Sequence, residues 1–486
     1  MILRSLDTKR LLVIILFISI FVMATQGIGD PDFFWHLRTG QIVWERRGIP
    51  REDPFSYTAR GQAWVAHEWL TETILFALYS LIGQRGLILA FAFLITCTFI
   101  LVYLQCEGRP WLAAFVLLLA TLTSAISWGV RPQMVSLFLS ALFLYILARK
   151  ESRLWLLPPL MALWVNLHGG YLLGLALLLL YIIGEGVSLL KAPQEGYHRL
   201  KKLSSLFLLS GAFTLINPHG WRILSYPFAT LGSQAMQAYI IEWFSPDFHQ
   251  AQFQPLAVLI LLTWLALFFS RAPRHPKDML FLLAFGYAAL RSARNVPLFA
   301  VVAAPILSTH LASLWEGSWL QKRLTQREQT RPNLRWYTLN WFLLLLILSA
   351  GSSKIALALR ENESLQRQIF PVAAVDYLEE EELRGNIYNL YQWGGYLIWR
   401  LYPEEQVFID GRADVYGDQF IEEYLEVYRA RRGWRDILER YKVDLVIIER
   451  DSALATILRE DTNWQKKYED ELAVIFVKVG DAAAKA

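Results

Sequence analysis

The sequence predicts a polytopic α-helical membrane protein of about eleven transmembrane helices with a C-terminal extramembrane α/β domain. Three observations predict it. Of the 486 residues, 55% are hydrophobic and 19% charged, whereas a soluble domain carries about 25% charged residues. Long apolar runs recur, among them LLVIILFISIFVMA, GLILAFAFLITCTFILVYL, YLLGLALLLLYIIG and WFLLLLILSAG. After residue 353 the texture changes, and charge mixes with short apolar runs.

Taken in order, the spans are predicted near 11–28, 86–105, 111–127, 133–148, 153–169, 172–190, 203–217, 254–270, 278–291, 296–314 and 336–352. The first run lacks a small-residue cleavage site, so it reads as a helix rather than a signal peptide. With the N-terminus cytoplasmic, most basic loops fall inside, including Arg4, Lys9, Arg10, ARKESR at 148–153, Lys191 and RLTQREQTRPNLR at 323–335. The stretch WLTETILFALYSLIG (69–83) is short and carries Glu72, and it reads as an amphipathic helix in the outer interface. Residues 1–352 then form the membrane domain, with outer loops at about 29–85 and 218–253, and 353–486 the external domain. Within that domain NIYNL, QVFID and VDLVIIE read as buried strands. DQFIEEYLEVYRARRG and GWRDILERYK read as helices. A bacterial plasma (inner) membrane, multi-pass, with the C-terminal domain periplasmic, is the expected location.

Several function classes drop out. A net charge of +4 gives no basic footprint for nucleic acid. Cys97 and Cys106, in or beside one predicted helix, make neither a metal site nor a disulfide framework. HEWLTE (67–72) is not HExxH, so a zinc protease is unsupported.

Ionisable residues beside membrane helices are costly and mark candidate function. In this orientation they gather on the outer side: Asp30, Asp32, His36 and Arg38 in GDPDFFWHLRTG, then Arg131, His168, His219, Glu242, Asp247, Arg291 and Arg294. An Asp-Pro-Asp pair at a helix start suits a general base or a divalent cation such as Mg or Mn. Its plainer role is a helix cap at Pro31. Arg291 and Arg294, three apart, suit a phosphate clamp or interfacial snorkelling. His168 and His219 stand either as ligands or as ordinary helix-end polar groups.

DPDFFWHLRTGQIVWERRGIPREDP resembles the first outer loop of oligosaccharyltransferase catalytic subunits and of the wider C-type glycosyltransferase superfamily. SWGVRPQMVSLFLSALFLYILARKESRLW, NLHGGYLLGLALLLL, IIEWFSPDFH and YQWGGYLIWRLYPEEQVFIDGR resemble later family segments in the same order. The resemblance implies a sugar donor linked to polyprenyl phosphate or pyrophosphate. It makes Asp32 or Asp30 the catalytic carboxylate and metal ligand, Glu242 the outer-loop acid, and Arg291 or Arg294 the donor-phosphate clamp. Arg38 and Arg131 join the donor-phosphate set. Trp393, Gly394, Gly395 and Tyr396, with His36 and His168, stand on the acceptor side. The sequence departs from the family at Val130–Gln133, where an acidic pair is usual, and at Gln392–Gly394, where Trp-Trp-Asp is usual. GGYLIW also reads simply as a strand-turn-helix junction.

The expected function is an integral membrane glycosyltransferase acting at the outer face on a glycan, lipid or protein acceptor. The alternative is a glycolipid transporter or flippase, or a non-catalytic cell-envelope polysaccharide assembly protein. Transport sites usually lie near the bilayer midplane, whereas these charges gather at one face.

Overall fold

The computed structural model describes residues 5–190, 197–316, 318, 321 and 334–480. Arg4, Lys191 and most of the basic stretch before Leu334 lie outside the described residues. The first helices are α1 (Thr8–Ala24), α2 (Phe33–Arg46), α3 (Trp69–Tyr103), α4 (Pro110–Ser124), α5 (Gln133–Arg149), α6 (Leu157–Leu167) and α7 (Leu172–Leu189). Next come α8 (Tyr197–Phe213), α9 (Arg222–Gly232), α10 (Gln234–Tyr239), α11 (Gln254–Phe269), α12 (Pro276–Arg291), α13 (Val296–Trp315) and α14 (Leu334–Ile369). The C-terminal part holds α15 (Val372–Glu380), α16 (Gly394–Leu401), α17 (Ala413–Tyr416), α18 (Asp418–Tyr428), α19 (Trp434–Arg440) and α20 (Ala453–Glu460). Four strands accompany them: β1 (Ile387–Asn389), β2 (Leu445–Glu449), β3 (Trp464–Glu469) and β4 (Ala473–Lys478).

Helices occupy each stretch expected to span. Among the described residues, six are long and apolar enough to cross a membrane: Trp69–Tyr103, Pro110–Ser127, Gly169–Leu189, Ala251–Phe269, Ala293–Trp315 and Leu334–Ile369. The remaining stretches fall on helices shorter than 18 residues, such as α1 at 17 and α6 at 11. Length and apolarity therefore support a multi-pass helical protein without establishing eleven crossings.

The chain forms two compact units. The first comprises Met1–Gln26, Ile88–Asn217 and Ile241–Leu359. Its centre is α13, which packs on α4, α11 and α12 and is buried along most of its length. Ala300, Ala303 and Ala304 are fully buried there, and small side chains let neighbouring backbones approach where dispersion replaces the hydrophobic drive.

The second unit comprises Gly27–Leu87, Pro218–Ile240 and Arg360–Ala486. It therefore unites residues 360–486 with residues 27–87 and 218–240, where the sequence suggested a contiguous boundary near residue 353. Its sheet runs in the order β1-β2-β4-β3, with β1 parallel to β2 and the other pairs antiparallel. β2 and β4 are apolar and buried, as their runs LVIIE and AVIFVK require. β3, with WQKKYE, is the exposed charged edge that discourages further pairing. QVFID does not make a strand of the sheet. Val407 forms isolated bridges to Ser56 and Ile387, and the Phe408 N–H goes to the Asn389 side chain. Within α3 the helix breaks at Gly83, whose φ is 63°. The segment before the break belongs to the second unit and exposes Ile74, Leu81 and Ile82.

Candidate active site

The acidic turn lies in the second unit. Asp30 Oδ1 accepts the Asp32 N–H at 3.0 Å, and the Asp30 carbonyl accepts from Phe33 at 3.3 Å. Asp30 thus forms the turn itself, a familiar use of a short carboxylate. Asp32 is the residue that opens α2. Its Oδ1 accepts the Trp35 indole N–H at 3.0 Å. A Cβ at position 411 would overlap that same oxygen, so the carboxylate lies directly against the Gly411 backbone. Tyr391 Oη donates to the Gly411 carbonyl at 3.1 Å. Burial, with the nearby Asp32 charge, pushes the Tyr391 phenol well above its usual range, which keeps it a donor.

Gly411 is held from both sides by a buried ion group that sequence reasoning missed. Arg412 Nη2 lies 2.6 Å from Asp410 and 2.7 Å from Asp53, with its guanidinium over the Phe55 and Trp64 rings. Tyr416 donates to Asp410 at 2.6 Å. The only signal in the sequence is Asp-Gly-Arg itself; Asp53 lies more than three hundred residues away.

The WGGY segment packs beneath the turn. A Cβ on Gly395 would meet the Pro31 carbonyl, and one on Gly394 the Ile409 carbonyl. Trp393 donates its indole N–H to the Ile369 carbonyl, and Tyr396 stacks on Phe370. All four residues are buried, so they form a strand-turn-helix joint rather than an acceptor-side surface. Arg38 is likewise committed. It donates to the Trp399 and Tyr402 carbonyls, both at 2.7 Å, and capping the end of α16 takes it away from the donor-phosphate set. His36 is buried, its Nδ1 2.9 Å from Glu72 Oε1 and 3.4 Å from Glu68 Oε2. His219 lies in this unit with Nε2 3.3 Å from the Ala66 carbonyl, and burial lowers its pKa.

A second cluster lies in the first unit. Arg131, just before α5, pairs with Glu242 at 2.5 Å. Arg294 sits over the Trp243 ring at 4.6 Å. The backbone is zipped to suit: Ser292 Oγ donates to the Glu242 carbonyl, Ala293 N to the Phe244 carbonyl, and Ser245 Oγ to the Arg291 carbonyl. Burial would raise the Glu242 carboxyl, but Arg131 and Arg294 outweigh it and leave the group below its usual range. Arg291 is exposed at the end of α12. His168 lies in the same unit. Its Nδ1 accepts the Gly170 N–H and meets Ser136 Oγ, both at 2.8 Å, while Trp164 donates to Ser136. Asp247 is exposed and pairs locally with His249.

Two comparisons bear on the fold. The structure is similar to the Archaeoglobus fulgidus oligosaccharyltransferase AglB, solved with an inhibitory peptide and a dolichol-phosphate. The TM-score is 0.53 at 13% identity, over 90% of this chain and 69% of that one. It is also similar to ArnT from Cupriavidus metallidurans bound to undecaprenyl phosphate, with TM-score 0.53 at 13% identity, over 97% of this chain and 98% of that one. No protein-family profile and no curated protein sequence matches the chain. The fold is therefore shared with these two solved structures.

Proposed function

We propose that the chain is an integral membrane glycosyltransferase that moves a sugar or oligosaccharide from a polyprenyl-(pyro)phosphate donor to an acceptor at the outer membrane face. The carrying observation is the Asp32 carboxylate, fixed at the start of α2 by Trp35 and pressed on the Gly411 backbone. The shared fold and the Arg131–Glu242–Arg294 cluster support it. In this reading the N-terminus is cytoplasmic, the sheet-bearing unit is external, and the host membrane is the plasma membrane.

Asp32 takes the proton of an acceptor hydroxyl as its oxygen bonds to the anomeric carbon. The bond from that carbon to the phosphate oxygen breaks, and the leaving polyprenyl phosphate keeps the electron pair. By the family resemblance the donor-phosphate role falls to Arg131 and Arg294 of the first unit, with Arg291 as an exposed auxiliary. Glu242, ionised and paired, orients Arg131. A divalent cation such as Mg or Mn would be held by Asp30 and Asp32, where Asp30 Oδ1 also accepts the Asp32 N–H.

The test is sugar transfer in proteoliposomes supplied with lipid-linked glycans extracted from the native membrane. Asp32→Asn should abolish transfer while retaining donor. Unchanged transfer would remove Asp32 from the mechanism, and net movement of intact donor between leaflets without transfer would favour the flippase alternative.

A further inference from the structure

We propose that His36, Glu68 and Glu72 form a binding site for a first-row divalent cation, of the Zn2+ or Mn2+ class, that fastens α2 to the helix following it. The proposal does not depend on the glycosyl-transfer reading. All three residues belong to the second unit, and all three are buried, at 3%, 6% and 1% exposure. One ligand atom from each lies within 4.8 Å of the others.

The backbone builds this cluster. A Cβ at position 40 would collide with the Glu72 carbonyl, so Gly40 lets α2 run against the first turn of α3. His36 stands one turn earlier on α2 and Glu72 one turn beyond Glu68, so both elements turn a ligand toward the same point. His36 Nδ1 is 2.9 Å from Glu72 Oε1 and 3.4 Å from Glu68 Oε2. Ligands at about 2.0–2.2 Å from a tetrahedral ion lie roughly 3.3–3.5 Å apart; the Glu68 separation matches, and the 2.9 Å hydrogen-bond contact to Glu72 would open by roughly 0.5 Å to admit an ion. Glu68 Oε1 meets His67 Nε2 at 3.2 Å, the outer support that ligating carboxylates usually have.

Protons alone leave the group unfinished. A proton on His36 Nδ1 serves Glu72 Oε1, and Glu68 also faces His67, so the unfinished atom is the second Glu72 oxygen. Glu72 Oε2 is fully buried with no hydrogen-bond partner, so a proton placed there would find no acceptor. Buried polar atoms of this kind call for a water or an ion. Two buried carboxylates facing one imidazole favour the ion, since a cation offsets charge that a water does not. The imidazole argues against Ca2+ and Mg2+, which prefer all-oxygen ligands, and the absence of thiolate from the set suits Zn2+ or Mn2+.

The first experiment is elemental analysis of the full chain, purified in detergent without chelator, alongside Glu72→Gln and His36→Gln. The expected result is one transition-metal ion per chain in the wild type and its loss from both variants. Chelation should lower the wild-type thermal midpoint, and Zn2+ or Mn2+ should restore it. Should both variants fail to fold, Co2+ added to chelated wild type provides the second test, through visible absorption bands of a nitrogen- and oxygen-bound ion. Wild type that is folded, metal-free and indifferent to chelator, Zn2+, Mn2+ and Co2+ would overturn the proposal and leave a proton-and-water network. These readouts involve no sugar transfer, so a failed transfer assay leaves them unaffected.

Discussion

Asp32 in the second unit and Glu242 in the first are two acidic residues marked by the same sequence pattern, yet they are built in opposite ways. Asp32 takes a neutral indole N–H and sits against a glycine backbone. Glu242 takes a guanidinium and lies near a second one. A cation beside a carboxylate favours its charged form and weakens it as a base. In the proposed mechanism the two therefore take different parts, Asp32 as the base and Glu242 as the counter-ion of Arg131. The contrast also predicts different responses to mutation, abrupt where packing sets the geometry and graded where charge does.

The largest effect is expected at the buried support of the acidic turn. Arg412→Ala would strand Asp53 and Asp410 without their cation, at about 3–5 kcal/mol of stability, the usual cost of breaking a buried pair from one side. A thermal midpoint unchanged from wild type would show that the pair is not what holds Gly411. Next comes Asp32→Asn, with a loss of turnover on the order of 10²–10⁴ at unchanged midpoint, as for removal of a general base. Gly411→Ala should resemble it in turnover while leaving residue 32 intact, because the added methyl displaces the carboxylate. Full activity in that variant would contradict the fixed position assigned to Asp32.

Smaller effects belong to the first unit. Arg294→Ala removes a cation over Trp243, a contact worth about 0.5–2 kcal/mol, and should raise KM for donor more than it lowers kcat. The increase should shrink with added salt. The smallest effect is the pH dependence of Glu242. Its folded pKa is depressed, so its contribution is complete above the ordinary carboxylate value and is lost as pH falls through the lowered one. Glu242→Gln should therefore differ from wild type in thermal midpoint at neutral pH and converge with it in acid. The partial exposure of Glu242 keeps that difference modest.

Much of the architecture was legible because it rests on local chemistry. Apolar runs mark helices wherever they occur, and NIYNL and VDLVIIE supply two strands of the sheet, whereas the strand AVIFVK was not expected. QVFID was misread because five mostly apolar residues signal burial without saying what covers them; here Phe55 and the Asn389 side chain take its backbone groups. β3 escaped notice since its two lysines and its glutamate resemble a loop. Asp30 and Asp32 were visible as a motif, but only the folded turn separates the turn-former from the candidate base. The Asp53–Arg412 and His36–Glu72 pairs join residues distant in sequence, and no local periodicity reports such a meeting.

The central claim is that this protein binds a polyprenyl-linked sugar through the arginines of the first unit. Native mass spectrometry on protein extracted gently from its own membrane tests it most directly, with Arg131→Ala/Arg294→Ala as the comparison. The account predicts a co-purified polyprenyl-phosphate or -pyrophosphate sugar in the wild type and its loss from the double variant. Ordinary phospholipid alone in the wild type, even after candidate donors are added, would contradict it.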